Sequence, residues 1–160
     1  RCFEVTIGEI KMKVIMVEPL KPAYVAEIGT DLESMQKAVG GDIEAVYPYD
    51  DPLVLICDEE GKYDGKERNR ALVSDSDEIY DVVFGTFFIA GIGDEEFTSV
   101  PDNLVEKYLE KYKNPHAFIK SDAGKYIVVE LPVEISKGIT SVEGYAETFG
   151  SNKKVTEKEL

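Results

Sequence analysis

The chain has 160 residues, 32 acidic and 18 basic, and a formal charge of −14. That charge disfavours nucleic acid and anionic membrane as direct ligands and suits a basic protein or a cation. Hydrophobic residues make up 43% of the chain, which excludes wholesale disorder and provides for one domain with a tail.

Residues 12–17 read as a strand closed by Glu18-Pro19, and residues 24–28 as a second strand ended by Gly29. Thr30-Asp31-Leu32-Glu33 has the capping-box form, with Thr30 at the cap. The helix it opens would turn Leu32, Met35, Ala38 and Val39 inward and stop at Gly40-Gly41. Residues 43–47 and 53–57 read as strands separated by Pro48 and Asp50-Asp51-Pro52, and residues 69–73 as a short strand. Residues 79–92 are the most apolar stretch, read as buried strand structure split by Gly85, with a short helical turn before it.

Ser99-Val100-Pro101-Asp102 predicts a helix start, with Ser99 as cap. Leu104, Val105, Tyr108, Leu109 and Tyr112 follow at helical spacing, and Asn114-Pro115 ends the helix. Residues 117–120 and 126–131 flank Ser121-Asp122-Ala123-Gly124, a hairpin signature. Beyond Pro132 the apolar residues are scattered. The expected architecture is α+β, a mostly antiparallel sheet with two main helices. The expected organisation is an N-terminal extension at 1–11, a compact domain at 12–131 and a partly ordered extension at 132–160.

Chemistry-bearing motifs are sparse. Cys2 and Cys57 form no metal-ligand spacing and no disulfide framework, and Cys57 closes an apolar run as a buried free thiol would. His116, the one histidine, has no Ser or Cys pattern beside it and reads as a helix-end or loop residue. Gly61-Lys62-Tyr63-Asp64-Gly65-Lys66 has three residues between its glycines where a phosphate loop needs four, and Glu67 follows where Ser or Thr would bind magnesium. Asp75, Asp77, Glu78 and Asp81 offer oxygen ligands to a hard cation. Counted from Asp75, however, the sixth and twelfth positions are Tyr80 and Thr86, where a calcium loop has Gly and Glu. No cofactor is expected. No apolar run approaches the ~18 residues of a membrane span. The first ten residues contain two Glu and no signal-peptide core, so a cytoplasmic location is expected.

Charge patterning says more. Sixteen acids and only four bases (Lys62, Lys66, Arg68 and Arg70) lie between positions 42 and 96, so twelve of the fourteen net negative charges fall there. Acids two residues apart on a strand, such as Asp75 and Asp77, would share a face at about 6.6 Å. That spacing is comparable with the charge repeat of a nucleic-acid strand, about one per 3.4 Å of axis. Asp58-Glu59-Glu60 and Asp94-Glu95-Glu96 add charged turns. Such a surface could enter the basic channel of a nuclease; the alternative is a solvated acidic face. Asn69 and Arg70, in the basic-polar island at 66–70, are read either as a partner contact or as part of an internal ion pair.

Residues 12–131 resemble a small domain of unknown function found in clostridial gut bacteria and their phages, plasmids and conjugative elements. The resemblance rests on Met12-Lys13-Val14-Ile15-Met16-Val17-Glu18-Pro19, on Leu32-Glu33-Ser34-Met35 running through Gly40-Gly41-Asp42, and on Cys57-Asp58-Glu59-Glu60-Gly61-Lys62. Asn69-Arg70-Ala71-Leu72, Ile79-Tyr80-Asp81, Gly85-Thr86-Phe87-Phe88-Ile89 and Phe97-Thr98-Ser99-Val100 complete it. The resemblance implies an accessory gene of a mobile element and kinship with inhibitors of RNA-guided CRISPR nucleases, whose basic channels an acidic surface could block. It carries no catalytic residues.

The expected function is therefore a non-enzymatic anti-defence inhibitor. Its partner would be a basic nucleic-acid-binding protein such as a CRISPR nuclease with its guide RNA. The expected partner contacts are Asp58, Glu59, Glu60, Arg70, Asp75, Asp77, Glu78, Asp81, Asp94, Glu95 and Glu96. A regulatory module of a mobile element and a divalent-metal enzyme using the acids at 75–81 are the alternatives.

Overall fold

Alternation along three strands sets the architecture, because successive side chains on a strand point to opposite faces. In β1 (Lys11–Val17), β4 (Leu53–Asp58) and β7 (Phe87–Ile92), odd-numbered Ile15, Val17, Leu53, Leu55, Phe87 and Ile89 line one face. Even-numbered Met12, Val14, Met16, Val54, Ile56, Phe88 and Ala90 line the other. Antiparallel sheets often leave one face wet. Here both are apolar, and both must be covered.

The computed structural model describes residues 10–132 and 155–158. The main sheet runs β2 (Tyr24–Gly29), β1, β7, β4, β3 (Ile43–Val46), and the two-residue β8 (Phe97–Thr98) pairs with β7. Every pairing in it is antiparallel. Helix α1 (Leu32–Val39) covers the even face through Met35 and Val39. Helix α2 (Asp102–Lys111) and the hairpin of β5 (Arg68–Val73) and β6 (Ile79–Phe84) cover the odd face through Tyr108, Tyr112, Leu72 and Val83. A third sheet closes over the hairpin. It is formed by β9 (His116–Lys120), β10 (Tyr126–Glu130) and β11 (Val155–Lys158), and its Val128 and Phe118 meet Ala71, Ile79 and Val82. Among the described residues this is the α+β fold of mostly antiparallel sheets and two helices that the sequence predicts.

Several local expectations shift. The cap of α1 is Asp31, not Thr30: its carboxylate accepts the Ser34 N–H at 3.0 Å and the Ser34 hydroxyl at 2.7 Å. Leu32 then falls in the first turn, outside the buried stripe of Met35 and Val39, and is 55% exposed. Ser99 does not cap α2, because its hydroxyl accepts the Lys13 N–H at 2.8 Å. With the Val100 N–H on the Lys13 carbonyl at 2.9 Å, the segment 97–100 continues the ladder where β1 and β7 part. The apolar stretch 79–92 contains no helical turn. Gly85, at φ +79°, divides it into two strands that belong to different sheets.

The hairpin expected at 121–124 is present, with the Ser121 N–H bonded to the Lys125 carbonyl at 2.7 Å. Part of the expected C-terminal extension, residues 155–158, pairs with β10. The expectations for residues 1–9, Cys2 and the rest of the extension lie outside the described residues.

Two glycines with the same backbone conformation differ in surroundings. A Cβ at Gly85 would lie 2.8 Å from Lys66 Cδ, whereas one at Gly65 (φ +78°) would meet nothing within 4 Å. Gly65→Ala should cost about 1 kcal/mol from the left-handed backbone alone, and Gly85→Ala about 2–3 kcal/mol, because crowding is added. Urea denaturation of both variants checks this; equal costs would refute the packing argument.

Candidate functional site

A bulge in β5 decides where its polar residues go. The β5–β6 register steps from Arg68↔Phe84 to Arg70↔Val83, leaving Asn69 as the extra residue. Such a residue breaks alternation, so neighbouring side chains can turn to the same side. Asn69 and Arg70 are both fully buried. The Asn69 amide donates to the Val17 carbonyl at 2.9 Å and the Gly85 carbonyl at 2.8 Å, and its oxygen accepts from Arg70 Nη1 at 2.8 Å. Arg70 Nη2 donates to the carbonyls of Lys21 at 2.6 Å and Tyr112 at 3.0 Å. Burial brings the guanidinium pKa down to about 10, opposed by the nearby Tyr112 and Glu130, so it stays charged at neutral pH. Arg70 is therefore an internal tie between backbone carbonyls. This corrects both expectations for it: it has no surface to offer a partner, and its hydrogen bonds go to carbonyl and amide oxygens rather than to a carboxylate.

Asp58 is also interior, its side chain 1% exposed, and forms an ion pair with Lys66. Its second oxygen accepts the Glu60 N–H at 2.9 Å. The Lys66 ammonium also donates to the carbonyls of Val39 and Gly40, both at 2.9 Å, at the C-terminal end of α1. A cation there complements the helix dipole. Burial pushes the Asp58 pKa up, but Lys66 and the Glu60 amide outweigh it and hold it below the ordinary carboxylate value. Asp58, like Arg70, is withdrawn from the expected contact surface.

Two hollows of about 260 Å³ each flank the hairpin. One contains Pro48, Tyr49, Tyr80, Tyr112, Asp75, Asp77, Lys111, His116 and Glu130. The hydroxyls of Tyr49 and Tyr112 are 2.7 Å apart, and burial raises both pKa values, Tyr112 to about 12. The His116 ring accepts the Ala71 N–H at Nδ1 (3.0 Å), and its Nε2 lies 4.0 Å from the Glu130 carboxylate. Tyr80 is the extra residue of a second bulge, where Leu72 pairs with Asp81 and Val73 with Ile79. The second hollow holds Glu44, Glu59, Lys62 and Asp81 above Cys57. Burial, then the carboxylates of Glu44, Asp81 and Asp58, push the Cys57 thiol up to about 12 and leave it unreactive.

The remaining expected contact residues are all exposed, but they do not form one face. Asp75, Asp77 and Glu78 occupy the β5–β6 turn, and Asp81 lies on β6. Glu59 and Glu60 follow β4, whereas Asp94, Glu95 and Glu96 follow β7. Because these strands are antiparallel, the two turns lie at opposite ends of their ladder. The 94–96 turn borders a separate hollow with Ile10, Lys11 and Thr30. Among the described residues no three of His, Cys, Asp and Glu are grouped so as to hold a metal ion, and none of the helices is long and apolar enough to cross a membrane. Sequence reading missed the cleft at Tyr49, Tyr80 and Tyr112, although Pro48 and the aromatic Tyr80 between Ile79 and Asp81 were visible signs of interrupted strands.

These features define an antiparallel α+β domain with an aromatic, acid-rimmed cleft and a buried polar frame. The chain belongs to the family described as a domain of unknown function, DUF3846, which matches residues 12–113. The match begins at Met12, as the resemblance implied, and ends before β9. Neither a curated protein nor a solved structure matches the chain.

Replacing Asp58 with Asn should lower stability at neutral pH by about 1–3 kcal/mol, since Lys66 loses its counter-ion in a nearly buried site. Because the folded pKa of Asp58 is depressed, its contribution is present above the ordinary carboxylate value and disappears as pH falls through the folded value. The variant should therefore show a flatter acid limb. Urea unfolding of both proteins from about pH 2 to 7 tests this; parallel curves would rule out the assignment.

Proposed function

We propose that this protein is a non-enzymatic acidic binding module that occupies the basic nucleic-acid channel of a partner. In this reading it is an anti-defence protein of a mobile element, and its target is an effector such as an RNA-guided nuclease carrying its guide. One observation carries the proposal. Among the described residues, no cation lies within ion-pair distance of Glu59, Glu60, Asp75, Asp77, Glu78, Asp94, Glu95 or Glu96; within positions 42–96 only Asp51, Asp58 and Asp81 are so paired. Eight exposed carboxylates are thus left without an internal counter-charge. Like charges held together on a folded surface repel one another, and a cationic partner relieves that repulsion while being steered in from a distance.

The contact assigned here differs from the residue list read off the sequence. Asp58 and Arg70 drop out because they are interior. Asp81 shares one hollow with Glu59, Asp75 and Asp77 stand at the other with Glu78 in the same turn, and Asp94, Glu95 and Glu96 provide a separate acidic turn. Nuclease channels select for backbone-like negative charge rather than sequence, which suits a surface of repeated carboxylates.

Complex formation with a susceptible CRISPR nuclease should weaken steeply between about 50 and 500 mM salt. Reversing Asp75, Asp77 and Glu78 to Lys should abolish inhibition of DNA cleavage while the circular dichroism spectrum stays unchanged. If a broad panel of guided and restriction nucleases remains active and uncomplexed, the proposal fails. A complex that forms without loss of cleavage would point to a regulatory module instead.

A further inference from the structure

We infer that the aromatic cleft under the β5–β6 turn seats an arginine side chain of a protein partner, an inference that rests on the reading above of that partner as basic. The walls of the cleft are Pro48, Tyr49, Tyr80 and Tyr112, enclosing about 260 Å³. Asp75, Asp77 and Glu130 stand at this cleft; among the described residues the opposing cations are Lys111 at its wall and the buried Arg70 behind Tyr112, so three carboxylates meet two cations and the cleft stays negative. An anion would be repelled, and a neutral apolar group would strip water from three carboxylates without returning a bond. A second copy of this chain, itself at −14, is disfavoured for the same reason.

The chemistry selects arginine in particular. Tyr80 is placed outside the β5–β6 ladder by its bulge and is 50% exposed, presenting an aromatic surface to the cleft. A guanidinium can stack on such a ring while its N–H groups fork to a carboxylate; an ammonium cannot do both in one plane. The protein already uses this contact internally: Arg68 Cζ lies 4.0 Å from the Tyr126 ring centroid and 5.1 Å from that of Phe84. Glu130 is held near the cleft by Asn114, whose Nδ2 donates to its Oε1 at 3.4 Å, and His116 stands beside it. With Nδ1 of that ring accepting the Ala71 N–H at 3.0 Å, the neutral ring carries its proton on Nε2, 4.0 Å from the carboxylate. Deep in the cleft, Tyr49 and Tyr112 are joined through their hydroxyls at 2.7 Å.

The test uses the full chain, isotope-labelled, titrated with a blocked tetra-arginine peptide and followed by NMR. Chemical-shift changes should concentrate at Tyr80, Asp75, Asp77 and His116. A tetra-citrulline peptide, equal in shape but uncharged, should bind at least about tenfold more weakly, and tetra-lysine about threefold more weakly. Tyr80→Ala should weaken arginine binding about three- to tenfold. Neutralising Asp94, Glu95 and Glu96, which border another hollow, should change cleft binding less than about twofold.

Shift changes spread evenly over all the acidic turns would overturn the inference. So would an unchanged affinity for a folded Tyr80→Ala protein. Nuclease inhibition measured on the same variants separates the two ideas. Inhibition that survives Tyr80→Ala undiminished leaves the inhibitor reading standing and removes the arginine seat. Specific arginine binding with no nuclease inhibited keeps the seat and removes the reading of the partner.

Discussion

A single buried guanidinium holds the parts of this fold together. Arg70 reaches the turn between β1 and β2 through the Lys21 carbonyl, the end of α2 through the Tyr112 carbonyl, and its own strand through Asn69. Removing an ion from water costs several kcal/mol even after relaxation. Here that cost is offset by acceptor oxygens from three separate elements, so Nη1 and Nη2 find their partners only when all three are in place, while Nε is buried without one. Leu20, within the same turn, adopts φ 61°, a conformation expensive for a branched side chain. It is held there by packing against Ala117, Val129 and Leu131 on one side and by the Arg70 bonds to its neighbour on the other. The guanidinium therefore converts a costly turn into a defined docking edge for the third sheet.

A second knot lies at the same end of the main sheet, where β4 stops at Asp58. Lys66 joins Asp58 to the end of α1, and the backbone closes around it so tightly that three glycines are required. A Cβ at Gly41 would lie 2.7 Å from the Asp58 carboxylate, one at Gly40 3.0 Å from the Lys66 ammonium, and one at Gly85 2.8 Å from the Lys66 side chain. Gly40 and Gly85 also have positive φ. The segments on which the family resemblance rests, Gly40-Gly41-Asp42, the turn after Cys57, Asn69-Arg70 and the strand start at Gly85, are thus the segments that meet in these two knots. Their shared requirement is architectural. Those matched residues build the frame, whereas Glu59 and Tyr80, also in matched segments, line the two hollows.

The sequence made the strands and helices legible because burial here obeys simple periods. Period-two alternation in β1, β4 and β7 and the 3.6-residue stripe of α2 are direct consequences of two apolar sheet faces that need covering. Legibility failed where a polar group chose between local and distant partners. Ser99 looks like a helix cap but serves β1, and Thr30 looks like a cap while Asp31 does the work, because local signals do not say which backbone amide is left over after the sheet forms. It failed again at bulges. Neither the inward turn of Asn69 and Arg70 nor the outward placement of Tyr80 follows from alternation; both depend on which residue of β5 faces which residue of β6, a register set by the whole assembly. The cleft was invisible for the same reason, since its lining comes from four separate stretches of the chain.

The fate of the basic residues explains the electrostatic character of the molecule. Four bases accompany the sixteen acids between positions 42 and 96 and could have paired with them at the surface. Three are instead drawn inward by the fold. Lys66 is committed to Asp58 and the end of α1, Arg68 is stacked between Phe84 and Tyr126, and Arg70 is ringed by carbonyls. Only Lys62 remains among the exposed acids, 3.9 Å from Asp81. The three inward charges still count toward the net, but none of the three lies within ion-pair distance of the acids at 59–60, 75–78 or 94–96. The surface therefore presents more uncompensated negative charge than the composition of the window suggests. The same cations that stabilise the frame leave its outer carboxylates to solvent and to a partner, so frame and binding surface follow from one partition of charge.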